Sequence, residues 1–240
     1  MSKIIDVHTH ILPSLDDGSR SVEMSLEMLR NESDQGIETV VFTPHFYANH
    51  DSPKRFLDSR AAAVDKLMSA VAGQMGLPNA ILGAEVHYFE GISDCEFLKD
   101  MAFELADGEK RYIMIEMPMK RWNDRMLFEI ESIRQKQKLV PIIAHIDRYI
   151  CSLGIKKIPD ALFRLPVVIQ ANSSFFTKRS TRRTALNMLR DGYIHLIGSD
   201  CHNLDDRRSD IGAALDAIEK HLGQAAIDHI VSCQNGKTIR

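Results

Sequence analysis

The stretch Ile194–Arg207, IHLIGSDCHNLDDR, supports two readings, and the choice between them decides the fold. Cys201, five residues, then Arg207 is the bare spacing of a cysteine phosphatase loop, where a thiolate attacks phosphorus and an arginine holds its oxygens. Alternatively, Asp200 and His202 are two metal-ligand types, one residue apart, closing an apolar run. The thiolate reading needs amides converging on an anion, commonly with glycine and a helix N-terminus. Between Cys201 and Arg207 there is no glycine, and Asp205 and Asp206 would repel a phosphate. If residues 200–202 are extended, Cys201 also faces away from the side that Asp200 and His202 share. The thiol is therefore expected to be packing material.

Working outward, the same design recurs. Apolar runs rich in Ile and Val cover residues 4–10, 39–45, 80–87, 112–118, 140–146, 167–174 and 194–202. They are too continuous for one-sided antiparallel strands and read as buried parallel ones. Between them lie amphipathic stretches such as Val22–Gln35, Phe56–Val71, Arg125–Lys138 and Arg183–Arg190. Nearly every run carries His, Asp, Glu or Asn near its C-terminal end. An open sheet concentrates its site at one switch point, whereas a barrel gathers residues from all its strand ends at one mouth. The expectation is an α/β fold, a TIM-barrel-like barrel with seven strands. No long Pro, Gly or Ser linker interrupts the pattern, so residues 1–240 read as one domain.

Bulk properties exclude other classes. With 240 residues, 44% hydrophobic and a net charge of −3, the chain lacks the basic stripe that nucleic acid demands. No apolar run approaches the ~20 residues of a membrane span, and the N-terminus does not look like a signal peptide. Cys95, Cys151, Cys201 and Cys233 show no pairing-like spacing, which suits a reducing cytoplasm. The one basic cluster, residues 177–183, reads as a solvated loop or a substrate-docking strip.

The candidate ligands sit at the run ends. His8 and His10 are two apart and so share a strand face, with Asp6 behind them and Asp16 and Asp17 in the next loop. His45, Glu85, Glu116, His145, Asp200 and His202 close later runs. So many acids at one mouth call for compensation, and bound cations are the usual remedy. Nine candidates exceed the needs of one metal and fit two or three. The His and carboxylate mix suits Mn, Fe or Zn.

The motifs DVHTHILPSLDDG, TPHF, GAEVH, IEMP, IAHIDRY, QANSS and SDCHNLDDR, in that order, resemble the polymerase-and-histidinol-phosphatase (PHP) superfamily. Within it the chain is similar to the manganese-dependent protein-tyrosine phosphatases of bacterial capsule and exopolysaccharide operons, from Asp6 to about Arg207. The resemblance implies a distorted (β/α)7 barrel, three divalent ions with manganese first and iron or zinc as alternatives, and a cytoplasmic enzyme. It implies one ion on His8, His10, Glu85 and Asp200, a second on Glu85, Glu116 and His145, and a third on Asp17, His45 and His202. Arg148 and Arg207 would grip the phosphate, Asp6 would orient a histidine, and Asn172 would line the mouth. The implied partner is a phosphotyrosine protein, an autophosphorylating bacterial tyrosine kinase at its tail; a homo-oligomer is left open. Two positions depart from the pattern: Asp147 where many relatives have Glu, and Cys201 where they commonly have an apolar or small residue. The rivals are a histidinol-phosphate phosphatase of the same superfamily and a non-catalytic metal-bound module, although such modules lose ligands and this chain keeps all nine.

Overall fold

In the computed structural model, which describes residues 4–106, 108–154 and 158–236, the seven runs are parallel strands joined by helices. β1 (Ile4–Thr9) leads through α1 (Val22–Asp34) to β2 (Ile37–Phe42) and β3 (His45–Phe46). α2 (Pro53–Val71) leads to β4 (Asn79–Leu82) and β5 (Glu85–His87), and a short α3 (Leu98–Met101) precedes β6 (Phe103–Glu104) and β7 (Arg111–Glu116). Next come α4 (Asp124–Gln137), β8 (Val140–Ile143), α5 (Ile146–Leu153), β9 (Val168–Asn172), α6 (Ser173–Thr177), α7 (Arg182–Arg190), β10 (Leu196–Gly198), α8 (Ile211–Leu222) and α9 (Gln224–Gln234).

The helices start where the sequence offers caps. Ser21, Ser52 and Asn123 each accept, through the side chain, a backbone N–H of the first turn of α1, α2 and α4, and Pro53 opens α2. Two runs are split. The run at 39–45 breaks at Thr43-Pro44, where proline has no N–H for a ladder, and the run at 80–87 breaks at Gly83-Ala84. β2 pairs with β1 and β4, while β3 pairs with β5, and β5, β7, β8, β9 and β10 follow side by side. At the far edge β10 returns to β1: Thr9 and Cys201 form a parallel bridge, the Asp200 N–H donates to the His8 carbonyl (2.8 Å), and the His10 N–H donates to the Cys201 carbonyl (3.0 Å).

Apolar packing occupies both sides of the strands. Val7, Val41, Met114, Ile142, Val168 and Leu196 meet on one side, and a larger cluster joins the other to the helices. With every strand of the central run except the largely exposed β4 buried on both faces, polar side chains collect at the C-terminal ends. Among the described residues no helix is long and apolar enough to cross a membrane.

Candidate metal centre

β1 supplies His8, and His10 follows directly after its end. Its register slips between Asp6 and Thr9, and this irregularity separates Asp6 from the histidines. His8 Nε2 lies 3.1 Å from His10 Nε2 and 3.2 Å from Glu85 Oε2, while Asp200 Oδ1 stands 3.7 and 3.6 Å from the two imidazole nitrogens. Two ligands about 2.1 Å from one ion and at right angles lie about 3 Å apart, so these donors have the spacing of one coordination shell. Space for this shell requires glycine on two sides. A Cβ on Gly198 would lie 2.6 Å from His8 Cβ, and one on Gly18 would lie 2.2 Å from the His10 carbonyl oxygen.

Glu85, at the start of β5, has its other oxygen 2.8 Å from His145 Nε2, and Glu116 Oε1 lies 3.7 Å from the same nitrogen. A third set gathers Asp17 Oδ1 with His45 Nε2 (3.4 Å) and His202 Nε2 (3.3 Å). All nine sequence-derived ligand positions therefore come together at one mouth. One grouping differs from expectation. His45 also turns Nδ1 to within 3.0 Å of Glu85 Oε2, so it stands with Glu85 and Glu116 as well as with His10, Asp17 and His202. His45 Nδ1 and His202 Nε2 are buried and near carboxylates, yet neither has hydrogen-bond geometry, as expected of donors converging on a shared cation.

The backbone bends to deliver two of these groups. His145 and Asp200 both adopt left-handed conformations, with φ of 32° and 56°. Neither is glycine, and strain of this kind clusters at functional sites. Residues 200–202 are therefore not a plain extended segment, although Cys201 does point away: it is buried, with Sγ 3.6 Å from Glu32 Oε1. Burial, and then the charges of Glu32 and Asp6, push its thiol well above the ordinary range. A thiol held protonated behind the mouth cannot be the nucleophile.

Electrostatics at the mouth favour charge. Burial pushes Glu85 upward, but His8, His45 and His145 outweigh it and hold the carboxyl well below the usual range. Asp200 is lowered in the same way by His8 and Arg148 against its burial. Burial pulls His10 down, yet Asp16 lifts it to about 9, and Glu85 does the same for His45. The acids of the mouth thus favour positive charge on His10 and His45, while burial outweighs Asp17 and lowers His202.

Both arginines reach this centre. Arg148 Nη2 donates to Asp200 Oδ2, and Arg207 lies 3.4 Å from Asp200 Oδ1 and 3.3 Å from Asp17 Oδ2. Asn172 Nδ2 donates to Asp200 Oδ2 (2.9 Å), so it lines the mouth as expected. Arg148 and Arg207 edge a cavity of about 350 Å³ that Lys178 and Arg208 also line. Within the basic cluster, the Arg182 guanidinium is used locally, donating to the carbonyls of Phe176 and Thr177.

The partners that orient the ligands differ from the sequence reading. Asp6 does not hold a histidine ring; its Oδ1 accepts the backbone N–H of His8 (3.1 Å) and of Ser199 (2.9 Å). His8 Nδ1 instead faces Gln170 Oε1 (3.3 Å), which also accepts the His145 N–H. His10 Nδ1 faces Asp16 Oδ2 (2.7 Å), and His87 Nδ1 faces Glu116 Oε2 (2.9 Å). Such outer partners fix ring orientation and raise ligand basicity. Gln170 and His87 carried a signal that sequence reasoning missed: each is a polar residue inside an apolar run, two positions from an identified one. Asp147 Oδ1 accepts the Asn172 N–H (2.8 Å), a backbone contact within reach of its short side chain.

Comparison with known proteins agrees with this geometry. The chain is 28% identical over 235 residues to the tyrosine-protein phosphatase YwqE of Bacillus subtilis, covering 92% of this chain and 85% of that protein. It is 27% identical over 229 residues to the tyrosine-protein phosphatase CpsB of Streptococcus pneumoniae, covering 92% and 91%. Among solved structures, one from the crystallographic study of YwqE and CpsB, described as unique metal-dependent tyrosine phosphatases, superposes with a TM-score of 0.80 at 24% identity. That match covers 99% of this chain and 96% of the other, so the fold is shared. The family model for capsular polysaccharide synthesis, CpsB/CapC, matches residues 4–240, and the chain belongs to that family.

Proposed function

We propose that this chain is a metal-dependent phosphomonoester hydrolase that dephosphorylates tyrosine residues of proteins. The observation that carries this reading is Glu85, whose two carboxylate oxygens face different donor groups, with two arginines anchored on the neighbouring Asp200. The relatives' names, tyrosine-protein phosphatase, give the substrate class. We further read the two sheets, joined by the β10–β1 bridge, as one distorted seven-stranded (β/α)7 barrel forming a single domain across residues 1–240. Manganese is the first choice for three ions, with iron or zinc as alternatives, and the setting is cytoplasmic. An autophosphorylating kinase of capsule or exopolysaccharide assembly is the proposed target.

The ligand groups would be His8, His10, Glu85 and Asp200; Glu85, Glu116 and His145, with His45 reaching in; and Asp17, His45 and His202. Divalent ions held by these groups would supply Lewis-acid polarisation of phosphoryl oxygens and lower the pKa of water toward neutrality. Arg148 and Arg207, each about one-third exposed at the cavity edge, present planar forks matched to phosphate oxygens. Both pair with carboxylates that would face cations, so their donors become available to an anion. Asn172 holds Asp200 in place, while Gln170 and Asp16 fix the rings of His8 and His10.

The test is turnover of p-nitrophenyl phosphate and a phosphotyrosine peptide, with and without chelator. Chelation should abolish both activities and manganese should restore them, with histidinol phosphate a poor competitor. Full activity in excess chelator would sink the metal reading, and preferential hydrolysis of histidinol phosphate would reassign the substrate.

A further inference from the structure

The mouth has an aromatic side that the proposed chemistry leaves unused. Tyr47, just beyond β3, is half-buried, with its ring centroid 5.3 Å from that of His45 and 5.3 Å from that of His87. His50 meets it edge-on at 6.1 Å. This is the open side of the centre: the side chains of Glu116, His87 and Asp17 are 16%, 35% and 62% exposed, whereas His8, His10 and Glu85 are sealed. No ring of the described chain stacks on Tyr47 from solvent; its neighbours are the three histidines.

We propose that Tyr47, backed by His87, is the wall against which the aromatic ring of the phosphorylated substrate packs, so that it determines specificity for aryl over alkyl phosphates. This rests on the phosphatase reading and adds the part of the substrate it recognises. An aryl phosphate carries a flat apolar face next to its phosphate, while an alkyl phosphate has none. A half-buried phenol offers a matching face, and aromatic pairs gain beyond simple area burial. Histidine rings behind Tyr47 hold its plane, which limits the entropy lost on binding.

The test compares binding of phenylphosphonate and methylphosphonate to the manganese-loaded protein by titration calorimetry, for wild type, Tyr47→Ala and Tyr47→Phe. Wild type should prefer phenylphosphonate, and Tyr47→Ala should reduce that preference by about three- to tenfold. Tyr47→Phe should keep it, because the face and not the hydroxyl makes the contact. Metal content should match wild type in both variants. Equal weakening of both phosphonates, or loss of metal, would make Tyr47 a packing partner of His45 and overturn the proposal. An unchanged preference in Tyr47→Ala would overturn it as well. Turnover of p-nitrophenyl phosphate by wild type, measured alongside, reports on the phosphatase reading separately, since phosphonate binding requires no hydrolysis.

Discussion

Two pairs of buried acids lie on either side of the same strand ends, and their chemistry is opposite. At the mouth, Glu85 and Asp200 are almost fully buried and yet held ionised, because histidines and Arg148 surround them. Behind it, Asp6 and Glu32 are equally buried, grouped with the Cys201 thiol. There burial raises Asp6 to about 6 and Glu32 well above its ordinary value. Burial is common to both pairs, so the neighbours decide the charge. One cluster offers negative charge that cationic neighbours compensate; in the other, packed between α1 and the backs of β1 and β10, burial favours the neutral, protonated form of each acid.

The largest effect should come from breaking the charged side. Glu85→Ala removes the carboxylate shared between two groups. It should cost on the order of a thousandfold in turnover and release more metal than Asp17→Ala, as counted by plasma emission. Equal metal loss in the two variants would refute the shared role. Next comes Arg207→Lys, which keeps the charge and loses the fork. A lost charge-assisted hydrogen bond is worth about 1.5–3 kcal/mol, so kcat/KM should fall roughly ten- to a hundredfold with metal content unchanged. Full activity, or metal loss, would show that the role given to Arg207 is wrong.

The neutral side should appear in stability. The fold favours protonated Asp6, whose pKa is 3.8 ordinarily and about 6 in the folded chain. Below pH 4 both states hold the proton and the contribution is complete. As pH rises from 4 to 6, the unfolded chain releases it first and the folded state loses stability relative to it. In chelator-treated protein the difference in Tm between wild type and Asp6→Asn should therefore shift against wild type as pH rises from 4 to 6, as read from paired melts at each pH. His10 and His45, raised to about 9, act above pH 6.5 and Asp16, lowered to about 2, acts below pH 4, while His195, lowered to about 4, acts inside the window with the opposite sign in both proteins and drops out of the comparison. The smallest effect belongs to Cys201→Ser, which should leave turnover within a few-fold of wild type. A thousandfold loss would restore the thiol to the mechanism.

The asymmetry between the clusters also explains what could be read from sequence. Strand-end His, Asp and Glu were legible because a parallel strand buried on both faces has little other use for them. Most of the nine candidate positions stood out in this way, as did the recurrence of strands and helices, whereas Arg148, in α5, and Arg207, in the loop after β10, were indicated only by the family resemblance. Glu32 did not stand out, since an acid within an amphipathic helix looks like any solvated position, and only the tertiary packing of α1 buries it. Asp16 stood out beside Asp17 in the loop after β1, but its hold on the His10 ring depends on how that loop folds back, which spacing does not show. The slip in β1 that turns Asp6 away from the histidines depends on pairing with β2, which period alone does not reveal. Nor does spacing disclose left-handed backbone at His145 and Asp200, or a histidine that serves two groups.

The bridge from Thr9 to Cys201 has a consequence for how the molecule is made. It joins positions about 190 residues apart, and Asp6 ties the same two strands together through Ser199. His8 and His10 are thus translated early and meet Asp200 and His202 only after nearly all the intervening chain has emerged, so the proposed coordination shell would close late. Pairings of such long range are slow to form, and they expose β1 as an open edge in the meantime. On the proposed ligand set, metal uptake would mark completed folding, and a kinetic trace of ion binding should lag behind the appearance of helix.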